Sequence, residues 1–171
     1  DLACHRDISC YSTWKTAGKS VAMISFIEGG GGYLCSGCLM NDKDAGSWIN
    51  YFLTANHCVD SSTVASTIEF YWFYETSQCN GTAPSRSWVP RTTGGATLLA
   101  TMTDSAGTDF TFLRMKNNPP SGVVYAGWNI AQPGGAESLV AIHHPEGSHK
   151  RIAFGSKVSS DSRFWTVRWS Q

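Results

Sequence analysis

The sequence predicts an all-β fold, a barrel or a sandwich, from three observations. Short runs rich in β-branched and aromatic residues recur along the chain, and clusters of Gly, Pro, Asn, Asp and Ser separate them. No window sustains the i, i+3, i+4, i+7 spacing of a long amphipathic helix, so helix should be scarce. Finally, 171 residues, 42% of them apolar, can bury roughly 70% of the unfolded chain's surface without relying on cross-links, which excludes disorder and a fibrous architecture.

The first expected strand is Val21 to Ile27. Gly29 to Gly32 then reads as a flexible hairpin connection. It is no phosphate cradle, because Tyr33-Leu34-Cys35 follows in place of a helix, and Gly18-Lys19-Ser20 ends no P-loop, because Thr13 stands where that loop needs glycine. Ile49 to Thr54 is the next strand, leading into a single helical turn over Ala55 to Cys58. Ile68 to Tyr74 alternates Phe70, Trp72 and Tyr74, and Phe110 to Met115 alternates Phe110 and Phe112. Asn117 to Gly122 contains Pro119 and Pro120, which offer a sheet no donor, so residues 117–122 read as a link between two β units, 1–116 and 123–171. Val123 to Asn129, Leu139 to Ile142 and Trp165 to Trp169 are the strands expected after it, too few for an independent barrel.

Thirteen basic side chains balance thirteen acidic ones, which removes the long-range attraction to nucleic acid or to an anionic membrane. The tail holding Lys150, Arg151, Lys157, Arg163 and Arg168 is the one basic exception, expected to be a solvated face. No apolar run approaches the ~20 residues that span a bilayer. The start DLACHRDISC has neither a basic n-region nor an apolar h-region, so any signal peptide is expected to have been removed. Six cysteines, five of them within the first 58 residues, are too dispersed for a compact zinc site, because Cys35 and Cys38 form the only short pair. Disulfides in an oxidising compartment fit better. Asn80-Gly81-Thr82 spells a glycosylation acceptor, a triplet too common to carry an argument.

Among His5, His57, His143, His144 and His149, His57 has the most unusual setting, just after an aromatic strand and beside Cys58. A disulfide there would anchor the backbone next to an imidazole that, as a general base, must be held within reach of its nucleophile. Tyr51-Phe52-Leu53-Thr54-Ala55-Asn56-His57-Cys58 resembles the catalytic-histidine segment of trypsin-like serine proteases, and within them that of the secreted bacterial lysyl endopeptidases. The resemblance continues in the same order through Cys4 and Cys10, Cys35-Ser36-Gly37, Phe70-Tyr71-Trp72, Thr108-Asp109-Phe110-Thr111, Ala126-Gly127-Trp128, Ala141-Ile142-His143-His144-Pro145 and Lys150-Arg151-Ile152.

That resemblance implies a chymotrypsin-like double β-barrel, its first barrel complete and its second only partly present. It implies a secreted serine endopeptidase without cofactor, acting on protein or peptide substrates through an acyl-enzyme. His57 is then the expected base and Asp109 its orienting acid. Asp104 is a weaker rival that lacks the following Phe-Thr-Phe strand. The third member should be a serine in a Gly-x-Ser-Gly setting, and none of Ser121, Ser138, Ser148, Ser156, Ser159, Ser160, Ser162 and Ser170 has one. The chain is therefore expected to be the N-terminal part of a longer or nicked enzyme, inactive alone and completed by a C-terminal segment of the same precursor. The alternative is a catalytically inactive homologue serving as a secreted protein- or glycan-binding β module, for which seven tryptophans speak.

The resemblance also implies Cys10–Cys79 and Cys35–Cys58 pairing, and gives Cys4 a partner downstream of these residues. Cys38 departs from the family pattern and is expected free, paired with Cys4, or paired elsewhere. His143, His144 and His149 are expected to be structural or cleft residues, because adjacent strand positions point to opposite faces. Lysine preference is implied by the nearest relatives, and a cleft aromatic near His57 is assigned to Phe164 or Trp165.

Overall fold

A computed structural model describes residues 4–44, 46–131 and 137–170, and within them two antiparallel sheets. The strands are β1 (Arg6–Asp7), β2 (Val21–Glu28), β3 (Gly31–Met40), β4 (Tyr51–Thr54), β5 (Glu69–Tyr71), β6 (Arg91–Thr92), β7 (Ala96–Met102), β8 (Phe110–Met115), β9 (Ser138–His143), β10 (Arg151–Ser160) and β11 (Trp165–Trp169). Among the described residues helix is confined to α1 (Lys15–Gly18), α2 (Ser62–Ser66) and short 3-10 turns. No helix among the described residues is long and apolar enough to cross a membrane.

The first sheet runs β6-β5-β2-β3-β4-β8-β7 and curls around one core. Alternate residues of β2, namely Ala22, Ile24 and Phe26, point into it. At its centre Phe52 meets Phe70 edge-on at 4.9 Å, while Trp72 stacks on Phe70. The buried indole donates from Nε1 to Thr92 Oγ1 at 3.1 Å, so no polar group is stranded there. Each such aromatic contributes about 1.5–3 kcal/mol by burial. Gly29 and Gly30 form the two-residue loop joining β2 to β3, both at positive φ, the geometry of a type I′ hairpin turn.

The second sheet is built around β10, with β9 along one side and β1 and β11 along the other. The N-terminal residues Arg6 and Asp7 thus pair across to Ile152 and Arg151. Buried Asp7 binds this end to the loop after β5, accepting from Thr76 Oγ1 at 2.6 Å and Asn80 N–H at 2.9 Å.

Several expectations are corrected. Val123 to Asn129 is no strand: it touches the first sheet through the single parallel bridge Met40–Ala126, while Val123 and Tyr125 pack against the first core. Ile68 to Tyr74 contracts to β5, because Phe73 turns to φ 54° and ends the extended run. Ala55 to Cys58 does form the single turn expected, with Cys58 and Val59 N–H donating to Ala55 O, and the unanticipated element is the short helix α2 beyond it, capped by Ser61 accepting from Val64 N–H. β3, β7 and β10 were not anticipated as strands.

Lys150 does not belong to a solvated basic face. It is fully buried, donating from Nζ to Gly18 O at 2.6 Å and lying 3.2 Å from Glu75 Oε2. Burial pulls its ammonium below the ordinary value, and the Glu75 carboxylate opposes that. Beside it His144 is buried, its backbone N–H donating to Ser36 Oγ at 2.8 Å and its ring stacked on Tyr74. His144 and Lys150, on the connection from β9 to β10, thus tie the second sheet to β3 and to the segments holding Gly18, Tyr74 and Glu75.

Candidate active site

The pairing of β4 with β8 explains why two residues 52 positions apart meet. Thr54, the last residue of β4, sits opposite Thr111 of β8. The chain leaving β4 therefore turns beside the chain entering β8, which places His57 next to Asp109. The turn is held by Cys58 and Val59 N–H, both donating to Ala55 O. Buried Thr111 donates to Val59 O at 2.6 Å, and Asn56 Nδ2 donates to Thr101 Oγ1 at 2.8 Å. On the other side Cys58 is bonded to Cys35 of β3, and Thr54 Oγ1 donates to Ser36 O. Glycine follows Ser36 for a steric reason: a Cβ on Gly37 would fall 2.2 Å from the Phe52 ring.

Asp109 uses both carboxylate oxygens on His57. Oδ1 accepts from the His57 backbone N–H at 3.0 Å, and Oδ2 lies 2.6 Å from ring Nδ1. Partial burial pushes this carboxyl up, but the His57 amide and imidazole outweigh it and hold the group below its ordinary value. An ionised Asp109 fixes Nδ1 as the protonated nitrogen and leaves Nε2 with its lone pair. The backbone at Asp109 has φ 48°, a left-handed conformation that aspartate tolerates better than most residues. The imidazole is 72% exposed, and no serine among the described residues hydrogen-bonds its Nε2.

The other singled-out residues lie elsewhere. Cys10 is bonded to Cys79, away from His57, while Cys4 and Cys38 are free thiols, not joined to each other. Cys38 Sγ lies 3.3 Å from Ser20 Oγ, and burial pushes its thiol up. Phe164 and Trp165 make no ring contact with His57: Arg163 lies over the first and Lys157 over the second. His143 meets His5 edge-on while His144 faces Tyr74, so the adjacent pair serves two different neighbourhoods. Among the described residues the only His/Cys/Asp/Glu grouping tight enough for an ion is Cys35, His57 and Cys58, and its two sulfurs are bonded to each other, leaving no thiolate to ligate. The sequence assigns no supporting role to Asn56, Thr101 or Thr111, because Asn56 meets Thr101 and Thr111 meets Val59 across 45 and 52 residues of chain.

Comparison with known proteins gives a consistent result. The family model for the C-terminal domain of lysyl endopeptidase matches residues 2–171. In that description the region is C-terminal, a placement the sequence reading did not anticipate. The lysyl endopeptidase of Pseudomonas aeruginosa is 32% identical over 162 residues; the match takes in 90% of this chain and 34% of the relative, so the chain spans about a third of its length. Among solved structures, the protease Anisep from Arthrobacter nicotinovorans superimposes with TM-score 0.53 at 23% identity, covering 84% of this chain and 66% of that one. An inactivated protease paralogue of the scabies mite gives TM-score 0.58 at 13% identity, covering 91% and 73%. At such identities these two likenesses concern the fold alone.

Proposed function

Because the chain belongs to the lysyl endopeptidase family of trypsin-like serine proteases, we propose that it supplies the base and the orienting acid of a Ser-His-Asp endopeptidase. The carrying observation is the 2.6 Å contact between His57 Nδ1 and Asp109 Oδ2, made by an imidazole that is largely exposed. Nε2 takes the proton of the attacking serine and returns it to the leaving amine, while Asp109 stabilises the imidazolium formed in between. The acyl-enzyme is then hydrolysed by water through the same base.

The serine belongs to a segment outside these residues, which also contributes the oxyanion hole and the pocket that reads lysine. In this reading residues 1–116 form the first barrel, 117–122 the link and 123–171 the opening strands of the second, with Arg6–Asp7 crossing over to β10. The edge strand β11, with Trp165 and Trp169 each exposed over somewhat less than half of their surface, supports a covering segment. The chain by itself is inactive. Two disulfides support secretion.

The rival is a secreted non-catalytic module that binds protein or glycan, favoured by the exposure of Trp48, Trp88 and Trp128. Hydrolysis of a lysyl peptide amide by the full-length protein, lost in His57→Ala, supports the protease. No hydrolysis and no reaction with a serine-directed phosphonate, in natively processed protein, supports the module.

A further inference from the structure

The loop between β7 and β8 carries Asp109, yet little of its own chemistry fixes it. Residues 103–106 are exposed. Their internal bonds, Thr103 Oγ1 with Ser105 Oγ and with Ala106 N–H, and Thr103 O with Gly107 N–H at 2.8 Å, tie the loop only to itself. Among the described residues, the hydrogen bonds that 103–106 make beyond their own loop come from one side chain. Arg163 Nη1 donates to Asp104 O at 2.7 Å and to Ser105 O at 3.1 Å.

Arg163 stands at the tip of the β10–β11 hairpin, in the other sheet, and the tip is itself braced. Asp161 Oδ1 accepts from the N–H groups of Arg163 and Phe164, both at 2.7 Å, and the guanidinium lies over the Phe164 ring. A planar guanidinium held at its base can aim both hydrogens of one nitrogen at two successive carbonyls. Asp109, a few residues further on, must keep an unusual backbone conformation while delivering both oxygens to His57.

We propose that Arg163 is a positioning residue for the His57–Asp109 pair, clamping the acid's loop from the second sheet. The pair is then set only when the β10–β11 hairpin is in place, so the second sheet controls the chemistry of the first. This rests on the catalytic reading of His57 and Asp109 given above.

The test uses the full-length protein with Arg163→Ala, Arg163→Lys and, for reference, Asp109→Asn. Turnover of a lysyl peptide amide is read together with the low-field proton resonance of His57 Nδ1–H. Arg163→Ala is expected to lower kcat by about 10- to 100-fold, the range for a misplaced catalytic group, with KM changed by less than about twofold. The Nδ1 proton resonance should broaden or vanish, and Arg163→Lys should restore part of both signals. A folded Arg163→Ala variant with normal kcat and an intact resonance would overturn the proposal, as would a change confined to KM. If Asp109→Asn lowers turnover while Arg163→Ala leaves it unchanged, the clamp alone fails. If Asp109→Asn leaves turnover intact, the catalytic reading fails with it.

Discussion

Asp109 grips His57 twice, through the backbone N–H at 3.0 Å and through ring Nδ1 at 2.6 Å. The amide replacement keeps the size but offers an N–H where an acceptor is needed, favouring the wrong imidazole tautomer. In the full-length protein Asp109→Asn should lower kcat by about 10⁴-fold, as in other Ser-His-Asp triads, with KM little changed. Steady-state kinetics on a peptide amide checks this, and a loss below tenfold would be inconsistent with a tautomer-fixing role.

The two disulfides differ in span and in what they hold. Cys10–Cys79 closes a separation of 69 residues and Cys35–Cys58 one of 23. Chain entropy assigns them roughly 4 and roughly 3 kcal/mol. Replacing Cys10 and Cys79 with serine should therefore cost more stability in denaturant titration. Replacing Cys35 and Cys58 should cost less stability but more turnover, since Cys58 adjoins His57. The opposite ranking of turnover losses would show that the bond beside His57 does not position it.

His144 sets a pH dependence on the acid side. Burial, then the neighbouring Lys150 charge, pull its pKa from 6.5 down to about 3. Nδ1 pairs with Ser148 O, while buried Nε2 has no partner among the described residues. Between those two values the unfolded chain binds a proton that the folded one refuses, so stability falls as pH drops from about 6.5 toward about 3. The slope is at most about 1.4 kcal/mol per pH unit. Equilibrium unfolding of His144→Phe should show a flatter acid limb; an unchanged slope would rule His144 out as its source.

Glu75 and Lys150 form a half-dry ion pair, the lysine fully buried and the carboxylate a quarter exposed. Glu75→Ala should destabilise by about 3 kcal/mol because it leaves a buried ammonium without its counter-charge. Lys150→Met should cost less, about 1–2 kcal/mol, mainly through the lost donor to Gly18 O. A double-mutant cycle should return a coupling above about 1 kcal/mol, and purely additive losses would mean that the pair contributes nothing beyond its members.

What the sequence makes legible follows from where the signal is local. His57 and Asp109 stand at the ends of runs that read as strands, and both runs are strands with those ends aligned. β3 escapes because Gly31, Gly32 and Gly37 dilute its β-forming signal, and its stability comes from pairing with β2 and β4. β7 escapes because Ala96 to Met102 reads weakly by propensity and is held extended by β8. Val123 to Asn129 has the right composition, but its apolar side chains pack on the first core without a ladder to join. Lys150 looks solvated because its counter-charge, Glu75, is far away in sequence. Arg163 is invisible for a related reason: its partners are backbone carbonyls, which leave no residue signature.

Serine labelling tests the central claim most directly. The full-length, natively processed protein is treated with a fluorophosphonate and the modified residue located by peptide mass mapping. The expected result is one labelled serine outside residues 1–171, lost in His57→Ala. Labelling of a serine within residues 4–170, or none in a folded protein, would contradict a triad whose base and acid lie here and whose nucleophile lies beyond.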